Sequence, residues 1–458
     1  MGFFKAYDMR GTFGADFGPE TVYGVGRALP RVVGGGRWLI GRDCRESSPV
    51  VHEALLRGLM DSGAAEVTDL GLCTTPMVYF FTAEDGFDGS VMITASHNPP
   101  TDNGLKVSKR TALPVGYADG LNEVERIVNG GAVDGPVLGK PSEVRHLDGL
   151  SRYIAWQWEH GPVLTETADL KYAVDCSNGM SSILARQLFP GAVIINDTLD
   201  GRFPCHAPNP LKAEAREQIT SLVRERGLDC GIIFDGDADR CMFVDERGEF
   251  VQPDYLVPVV AKATLNVMGL DVLRERPKVI HDVRTSRGAI EAIRELGCEP
   301  VMVPVGHAFA KPILRQIDAI CGGELAGHYY FKEFFGCDSG VLAALRILGE
   351  IAKAKSKGVS FSQMMASICD RYANSGEVNF KVGDKDAAIE RVLAAARRNL
   401  PTELSRSEMD GIRIEYAEGW INVRKSNTEP YLRLIVECDT RERLAAWVNL
   451  LSEAIHAG

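Results

Sequence analysis

Several common kinds of segment are absent from this sequence of 458 residues. No apolar run approaches the roughly 20 residues that a membrane-spanning helix needs. The first residues contain no long apolar stretch of the kind found in secretory signals. Position 6 is Ala6, where N-myristoylation requires Ser or Thr. The sequence therefore predicts a cytoplasmic protein without a membrane partner.

The cysteines and the charge exclude further classes of protein. The 11 cysteines include no Cys-x-x-Cys pair and no cysteine–histidine spacing typical of a zinc site. A net charge of −11 argues against a general binder of nucleic acid. If the ligand is an anion, a local group of Arg and Lys side chains has to attract it. We expect no nucleic-acid partner.

What the chain does contain is a repeated alternation of strands and helices. With 45% hydrophobic and 25% charged residues, it is long enough for roughly three or four globular domains. Apolar runs predict strands over 38–40, 67–71, 172–174, 193–195, 231–234, 278–282 and 301–305. Helical patterns cover 48–61, 147–159, 177–189, 213–226, 255–268, 286–296, 308–317, 340–357 and 361–372. Such alternation favours βαβ units with a mainly parallel sheet.

The last ninety or so residues have a different pattern. Short strands are predicted over 378–382, 411–416, 420–424 and 432–437, with helices over 385–400 and 441–456. This order indicates an α+β module with mostly antiparallel pairing.

Residues 91–100 combine a buried strand with a sharp turn, and they read VMITASHNPP. The apolar half suits a strand, and Pro99 and Pro100 oppose a helix after it. Ser96 is therefore expected at the tip of a turn, where a hydroxyl can act as a nucleophile or phosphoryl carrier. The alternative is a turn in which Ser96 only satisfies its own backbone. Asn103–Lys106 follow closely enough for Lys106 to fold back onto the turn.

Asp235, Asp237 and Asp239 directly follow an apolar strand, and oxygen ligands at this density suit Mg²⁺ or Ca²⁺. An EF-hand is excluded: Glu246 is the twelfth residue, as that loop requires, but Arg240 is the sixth, where it demands glycine. A solvated acidic turn is the alternative. Three carboxylates without a cation would repel one another, which favours a metal.

A second group of candidate ligand-binding residues lies nearer the C-terminus. The loop 424–430, RKSNTEP, and Arg433 combine two arginines with hydroxyl and amide donors, which suits a phosphate. A charged β-turn is the alternative. His307 and His328 follow strand-like segments, and either can be an ordinary satisfied histidine. Glu324 lies in a glycine-flanked turn, where its carboxylate is placed to accept bonds from vicinal hydroxyls.

Taken together and in this order, the motifs TASHNP (94–99), DGDADR (235–240), GELAGH (323–328) and RKSNTEP (424–430) resemble the α-D-phosphohexomutase superfamily. The stretches FKAYD (4–8) and DGRFP (200–204) are similar to its phosphomannomutase/phosphoglucomutase branch. The resemblance covers essentially the whole chain. It implies three similar mixed-sheet α/β domains (1–147, 148–250 and 251–367) and a C-terminal α+β domain (368–458) around a central cleft.

The resemblance also implies an activity: interconversion of hexose 6-phosphate and hexose 1-phosphate, with mannose and glucose both expected as sugars. Ser96 would be a phosphoserine, and hexose 1,6-bisphosphate the intermediate and activator. One Mg²⁺ would be held by Ser96, Asp235, Asp237 and Asp239. The implied catalytic residues are Ser96, His97, Lys106, Arg10, His307 and His328. The implied substrate-binding residues are Tyr7, Arg240, Arg284, Glu324, Ala326, Arg424, Ser426, Asn427, Thr428 and Arg433. Phosphosugars are the expected partners, and a monomer is expected, with a dimer as the alternative.

Two positions depart from the family pattern, and both concern the sugar. Ala326 stands where relatives usually carry serine, which removes one hydroxyl contact worth about 0.5–1.5 kcal/mol. Arg284 stands where close relatives often have lysine. Two alternative functions remain at this point: a phosphoglucosamine mutase and a catalytically silent phosphosugar-binding protein.

Overall fold

The computed structural model describes residues 2–64, 66–131, 144–162, 167–426 and 431–457. None of the helices in these ranges is both long and apolar enough to cross a membrane. The described strands form four sheets, which follow one another along the chain.

The first unit is built around a seven-stranded mixed sheet in the order β1-β5-β4-β2-β3-β7, with β6 paired to β5. Strands β2, β3, β4 and β7 run parallel, whereas β5 is antiparallel to β1, β4 and β6. The elements are β1 Met9–Thr12, α1 Pro19–Val32, β2 Arg37–Arg42, α2 Ser48–Asp61, β3 Glu66–Leu72, α3 Thr75–Glu84, β4 Gly89–Ile93, β5 Asp102–Lys109, β6 Leu113–Pro114, α4 Asn122–Asn129 and β7 Val144–His146. Strand β4 ends at Ile93, directly before the predicted turn.

The second unit has a five-stranded sheet in the order β12-β11-β10-β8-β9. Its elements are α5 Leu150–His160, β8 Tyr172–Asp175, α6 Ala185–Leu188, β9 Val193–Ile195, α7 Ala213–Arg226, β10 Cys230–Phe234, β11 Cys241–Asp245 and β12 Phe250–Val251. The predicted bounds of α7 are confirmed at both ends. The helix ends at Arg226 because Gly227 adopts the left-handed conformation at φ +57°.

The prediction of one continuous helix over 177–189 is wrong. Ser177 and Asn178 both lie at φ +53°, and the Ser177 hydroxyl donates to the Phe234 carbonyl at 2.6 Å. These short polar side chains favour a turn over a helix. Only a 3₁₀ turn at Met180–Ile183 and the short α6 remain.

The third unit repeats the architecture, with a five-stranded sheet in the order β14-β13-β15-β16-β17. Its elements are α8 Pro253–Met268, α9 Val272–Glu275, β13 Lys278–Asp282, α10 Arg287–Glu295, β14 Glu299–Val303, α11 His307–Gln316, β15 Cys321–Gly323, β16 Tyr329–Phe331, β17 Cys337–Asp338, α12 Gly340–Lys355 and α13 Phe361–Cys369.

The fourth unit is a six-stranded antiparallel sheet in the order β18-β23-β22-β21-β20, with β19 also paired to β23. Its elements are β18 Ala373–Asn374, β19 Val378–Phe380, α14 Lys385–Asn399, β20 Ser405–Ser407, β21 Ile412–Glu415, β22 Gly419–Lys425, β23 Leu432–Cys438 and α15 Arg441–His456. The predicted antiparallel α+β module is confirmed.

The first three sheets are mixed, so the expectation of mainly parallel pairing was too simple. The reason is the length of the connections. Only residues 235–240 join β10 to β11, and a parallel crossover needs roughly a dozen residues or more. The chain therefore returns antiparallel, and the loop lies at the carboxyl end of β10.

The hydrophobic core divides the molecule differently from the sheets. One continuous apolar cluster joins the first three units and includes Phe81, Tyr153, Phe234 and Phe334. The fourth unit has a separate cluster around Trp447. Apolar packing thus ties the first three units together, and the fourth is attached mainly through polar contacts.

Asp254 makes the stability of this core depend on pH. It is 2% exposed and accepts the Ser286 N–H at 2.9 Å, and burial raises its pKa to about 7. In the unfolded chain the pKa of an Asp is about 3.9. The folded chain therefore binds the proton more tightly. Asp254 stabilises the fold most below about pH 4. Its contribution to the free energy of unfolding then falls by about 1.4 kcal/mol per pH unit up to about pH 7.

Asp254→Asn should flatten this dependence, because the amide cannot ionise. Thermal midpoints measured from pH 5 to pH 8 should fall less steeply for the variant than for the wild type. Asp148→Asn is the matched control, since Asp148 is exposed. Parallel profiles for wild type and Asp254→Asn would contradict the prediction.

Candidate active site

The Ser96 loop leaves the carboxyl end of β4 and holds its serine in a strained conformation. Ser96 is 3% exposed and lies at φ +51°, a left-handed conformation that is uncommon outside glycine. Its N–H donates to the Thr94 hydroxyl at 2.8 Å. Its own hydroxyl donates to Asp235 Oδ2 at 2.8 Å. The first unit thus places Ser96 directly against the acidic loop of the second unit, residues 235–240.

The acidic loop brings three carboxylates together without exposing any of them. Asp235, Asp237 and Asp239 are each 0% exposed, and their oxygen atoms lie within 4.8 Å of one another. Burial raises the pKa of Asp235 to about 7. Lys106 Nζ lies 2.6 Å from both Asp237 Oδ2 and Asp239 Oδ2. Burial opposes the charge of Lys106, but the two carboxylates outweigh burial and raise its pKa.

The donor set of this loop fits a divalent cation. Within the described residues, Asp237 Oδ1 and Asp239 Oδ1 are buried and have no hydrogen-bond partner. A buried carboxylate oxygen without a partner carries a large desolvation cost. Carboxylate and hydroxyl oxygens are the ligands that Mg²⁺ prefers. These atoms and the Ser96 hydroxyl beside Asp235 therefore offer an all-oxygen site.

Three further side chains add positive charge or hydrogen-bond donors around Ser96. Arg240 Nη2 donates to Ser96 Oγ at 3.3 Å, and Arg240 Nε donates to Asp235 at 2.9 Å. Arg10 donates to the Ala95 carbonyl at 3.3 Å and pairs with Asp8 at 2.6 Å. His97 Nδ1 lies 3.2 Å from Ser96 Oγ. Burial, together with Arg240 and Arg10, holds the pKa of His97 well below its usual range, so this imidazole is neutral.

The pKa values of the two other predicted histidines, His307 and His328, are shifted in opposite directions. His328 Nδ1 lies 2.6 Å from Asp338 Oδ2, and Asp239 and Asp338 raise the pKa of His328 although burial lowers it. Burial and the cation of Lys311 hold the pKa of His307 well below its usual range. The two rings are 5.9 Å apart. An imidazole whose pKa is raised therefore lies beside one whose pKa is lowered.

The predicted sugar-contact residues surround the turn between β15 and β16. Glu324 is 1% exposed and accepts the Tyr330 hydroxyl and the Gly306 N–H, the latter at 3.2 Å. Ala326 is partly exposed on the same turn. Arg284 is held by Asp282 at 2.6 Å and lies 3.7 Å from Glu324. Tyr7 reaches across from the first unit and packs edge-on against Phe309.

The candidate phosphate site is built on the last two strands of the fourth unit. Arg424 on β22 and Arg433 on β23 are directly opposite partners, an arrangement that is unfavourable for like charges. Glu377 lies between them, 2.8 Å from each guanidinium and 3.5 Å from that of Arg284. The Ser426 N–H donates to the Tyr431 carbonyl at 2.9 Å. Asn427 and Thr428 lie outside the described residues.

Direct contacts connect these parts into one site. Arg240 of the acidic loop forms a β-bridge with His328 of the third unit. Glu324 on the same turn contacts Arg284, and Arg284 contacts Glu377 of the phosphate site. The structure therefore connects predicted residues of all four units, namely Ser96, Arg240, His328, Glu324, Arg284, Arg424 and Arg433, in one continuous polar region.

Comparisons with known proteins match one family in all four units. The chain matches the phosphoglucomutase/phosphomannomutase alpha/beta/alpha domain I over residues 1–132, domain II over 155–248, domain III over 252–372, and the C-terminal domain over 377–454. It is 35% identical to a phosphomannomutase of Escherichia coli over 448 residues, which is 95% of this chain and 94% of that protein. The chain belongs to the phosphoglucomutase/phosphomannomutase family.

Two further relatives support this membership. A protein of Xanthomonas campestris described as phosphohexose mutases is 36% identical over 95% of this chain and 94% of its own length. The crystal structure of a phosphoglucomutase/phosphomannomutase family protein from Burkholderia thailandensis is 28% identical and superposes with a TM-score of 0.81, covering 99% of this chain and 97% of that one. The predictions of the family, of the fold class and of hexose phosphate mutase activity are confirmed.

Sequence reasoning missed several polar residues that this family member places around the site. Thr75 donates to Asp237 at 2.5 Å, Asp338 holds His328, and Glu377 separates Arg424 from Arg433. Asp338 had a weak signal, since it comes directly before Ser339, the N-cap of α12. Glu377 had none, because it lies in a short turn and contacts arginines far away in the sequence.

A divalent cation should stabilise the protein through the acidic loop. Mg²⁺ that binds only the folded chain raises its thermal midpoint by mass action. Asp237→Asn should abolish most of this shift, because it removes one charged ligand and keeps the side-chain shape. The measurement is the thermal midpoint with Mg²⁺ and with EDTA. Asp318→Asn, which changes an exposed carboxylate paired with Lys332, should keep the full shift. An equal shift in Asp237→Asn would rule out the site.

Proposed function

We propose that this hexose phosphate mutase works through a phosphoserine at Ser96 and a hexose 1,6-bisphosphate intermediate, with mannose and glucose phosphates as substrates. The observation that carries the proposal is the position of the Ser96 hydroxyl, 2.8 Å from Asp235 in a buried group of three carboxylates. A buried hydroxyl at a cation-suited site, with Arg240 at 3.3 Å, suits the reversible transfer of a phosphoryl group.

Mg²⁺ is the proposed cofactor, held by Ser96, Asp235, Asp237 and Asp239. When bound, it supplies positive charge that offsets the charge developing on a transferring phosphoryl group. Lys106, Arg10 and Arg240 are proposed to add further positive charge. Lys106 is the best placed, because it already contacts two of the carboxylates at 2.6 Å.

The proposed reaction has two transfers. Phospho-Ser96 gives its phosphoryl group to the free hydroxyl of a hexose 1- or 6-phosphate, which forms the bisphosphate. The bisphosphate turns end for end and returns its other phosphoryl group to Ser96. Lys106, Arg10, His307 and His328 are the proposed candidates for moving protons to and from the sugar hydroxyls, and His97 is a proposed hydrogen-bond donor beside Ser96. Among these, His328 beside Asp338, whose carboxylate helps to raise the pKa of the imidazole, suits proton donation.

The substrate is proposed to bind both to the turn between β15 and β16, which contains Glu324, and to the phosphate site on β22 and β23. Glu324 would accept bonds from ring hydroxyls, with Tyr7, Ala326 and Arg284 beside it. Arg424, Ser426, Asn427, Thr428 and Arg433 would hold the phosphate that is not being transferred. Two guanidinium groups that share one carboxylate, Glu377, at 2.8 Å retain net positive charge for a phosphate dianion.

Three further expectations remain part of the proposal. The domains are proposed as 1–147, 148–250, 251–367 and 368–458, although strand β12 spans 250–251 and helix α13 spans 361–369. A monomer in the cytoplasm is proposed. Phosphosugars are the proposed ligands.

The decisive test is Ser96→Ala with two readouts. Intact-mass measurement of the wild type should show one added phosphoryl group after incubation with hexose 1,6-bisphosphate, and the variant should show none. Mutase activity on mannose 1-phosphate and glucose 1-phosphate should fall to background, because the nucleophile is lost. Normal turnover of Ser96→Ala would overturn the phosphoserine route. Turnover of glucosamine 1-phosphate faster than both other sugars would instead identify a phosphoglucosamine mutase.

Arg424→Ala should separate docking from phosphoryl transfer. Loss of a charge-assisted contact worth about 1.5–3 kcal/mol should raise KM for the hexose 1-phosphate roughly 10- to 150-fold. Phosphorylation of Ser96 should persist, since Arg424 lies on another unit. Arg406→Ala is the control, because Arg406 pairs with Glu403 on the same sheet outside the site. An unchanged KM in Arg424→Ala would remove this arginine from the docking site.

A further inference from the structure

Arg45 lies just after β2, and its side chain is completely buried against the Ser96 loop, at 0% exposure. A guanidinium group has five N–H donors, and all five have acceptors here. Nε donates to Asp43 at 3.1 Å. Nη1 donates to the carbonyls of Pro99 at 2.6 Å and Asp102 at 2.9 Å. Nη2 donates to the carbonyls of Ser96 at 2.9 Å and Asn98 at 2.8 Å.

The Arg45 guanidinium group therefore lies at the centre of the Ser96 loop. Four backbone carbonyls between residues 96 and 102 converge on it. Without the guanidinium group, buried carbonyls would lose their partners, and each loss is costly. Ser96 lies at φ +51°, a conformation that persists only where the surroundings enforce it. The bond from Arg45 to the Ser96 carbonyl acts on that residue directly.

Two side chains, Asp43 and Phe203, hold Arg45 itself in place. Asp43 accepts its backbone N–H at 3.0 Å and also accepts the Ser48 hydroxyl at 2.5 Å. The Asp43 N–H donates to the Ile93 carbonyl at 2.9 Å, which ties the pair to the end of β4. The ring of Phe203, from the second unit, lies 5.0 Å from the guanidinium carbon.

The second unit comes close to Arg45 at one further residue. A Cβ atom at Gly201 would lie 2.4 Å from Arg45 Cα and 2.3 Å from the Cys44 carbonyl oxygen. Only glycine permits this approach. The DGRFP stretch, residues 200–204, has no role in the proposed reaction. It packs on Arg45, the residue that supports the Ser96 loop.

We propose that Arg45 is a positioning residue for phosphoryl transfer: by holding the four carbonyls of the Ser96 loop, it keeps the Ser96 hydroxyl aimed at the acidic loop. This inference rests on the proposed role of Ser96 as phosphoryl carrier. All five N–H donors of Arg45 are used by Asp43 and the four loop carbonyls, which leaves none for a substrate or a transferring group. Its effect should therefore appear in the rate of transfer and leave the docking of the sugar phosphate unchanged.

Lysine cannot replace Arg45 in this role, because an ammonium group has three donors at one point and cannot reach five separated acceptors. Arg45→Lys should lower kcat roughly tenfold to hundredfold, the scale of a displacement of about 1 Å in a reacting group. KM for the hexose 1-phosphate should stay within about twofold, since the phosphate docks on the fourth unit. Phosphorylation of Ser96 by hexose 1,6-bisphosphate, followed by intact mass, should slow by the same factor as kcat.

Arg37→Lys is the matched control. Arg37 begins the same strand, donates to the carbonyls of Asp85 and Gly86 at 3.2 and 3.4 Å, and lies 4.9 Å over the ring of Phe87. It lies at the opposite end of β2 from Arg45, so the control should keep the wild-type kcat. Arg45→Ala adds a rescue experiment: guanidinium ion should restore part of kcat, and methylammonium ion should not.

The outcomes separate the two proposals. If the wild type takes up no phosphoryl group, the proposed role of Ser96 fails and the inference fails with it. If the wild type is phosphorylated but Arg45→Lys keeps its kcat, or loses only thermal stability, the inference alone is overturned. If Arg45→Lys does not fold, Asp43→Asn decides: a severalfold fall in kcat at unchanged KM supports the role, and an unchanged kcat overturns it.

Discussion

The repulsion among three buried carboxylates is the constraint on which the rest of this structure depends. Asp235, Asp237 and Asp239 are fully buried on one loop of the second unit, and that loop contains only one cation of its own, Arg240. The remaining compensation has to come from other units. Lys106 and the Ser96 hydroxyl supply it from the first unit, and His328 lies 3.9 Å from Asp239 in the third. The charge that suits the site to a metal therefore also explains why the first three units meet there.

The apolar core reinforces this meeting. Because one continuous cluster joins the first three units, their relative positions are fixed by close packing, and close packing resists small displacements. The hydroxyl of Ser96 and the oxygens of the acidic loop come from different sheets, yet they must keep a separation of about a hydrogen-bond length. Arg45 and Gly201 show the same requirement at the level of single residues, since the backbone of Gly201 in the second unit packs directly on Arg45, which supports the Ser96 loop.

The sequence was most informative where one short segment determines both structure and chemistry. Strand β10 followed by the acidic loop is an apolar run of fixed length with carboxylates after it, and α7 is bounded by Gly227; both could be predicted locally. The helix over 177–189 could not, because the bond from Ser177 to the Phe234 carbonyl depends on a strand far along the chain. Asp338, Glu377 and Arg45 were missed for the same reason. Most of their partners lie on other elements, and only Asp338 has a weak local signal, the N-cap of α12 that follows it.

The fourth unit differs from the others in how it is attached, and this difference fits its proposed role. Arg287 on α10 donates to the carbonyls of Tyr416 at 2.6 Å and Gly419 at 3.0 Å, and Glu437 accepts the Arg287 backbone N–H at 2.8 Å. The apolar contact beside these bonds is a small cluster of Leu325, Trp420 and Ile435. Water can replace polar bonds at little net free energy, whereas separating a large apolar interface is costly. A unit that holds one phosphate of a bisphosphate, and must release it when the intermediate turns, is best attached in this way. Its separate core is the arrangement that would let the fourth unit close on a substrate and exclude water without disturbing the acidic loop.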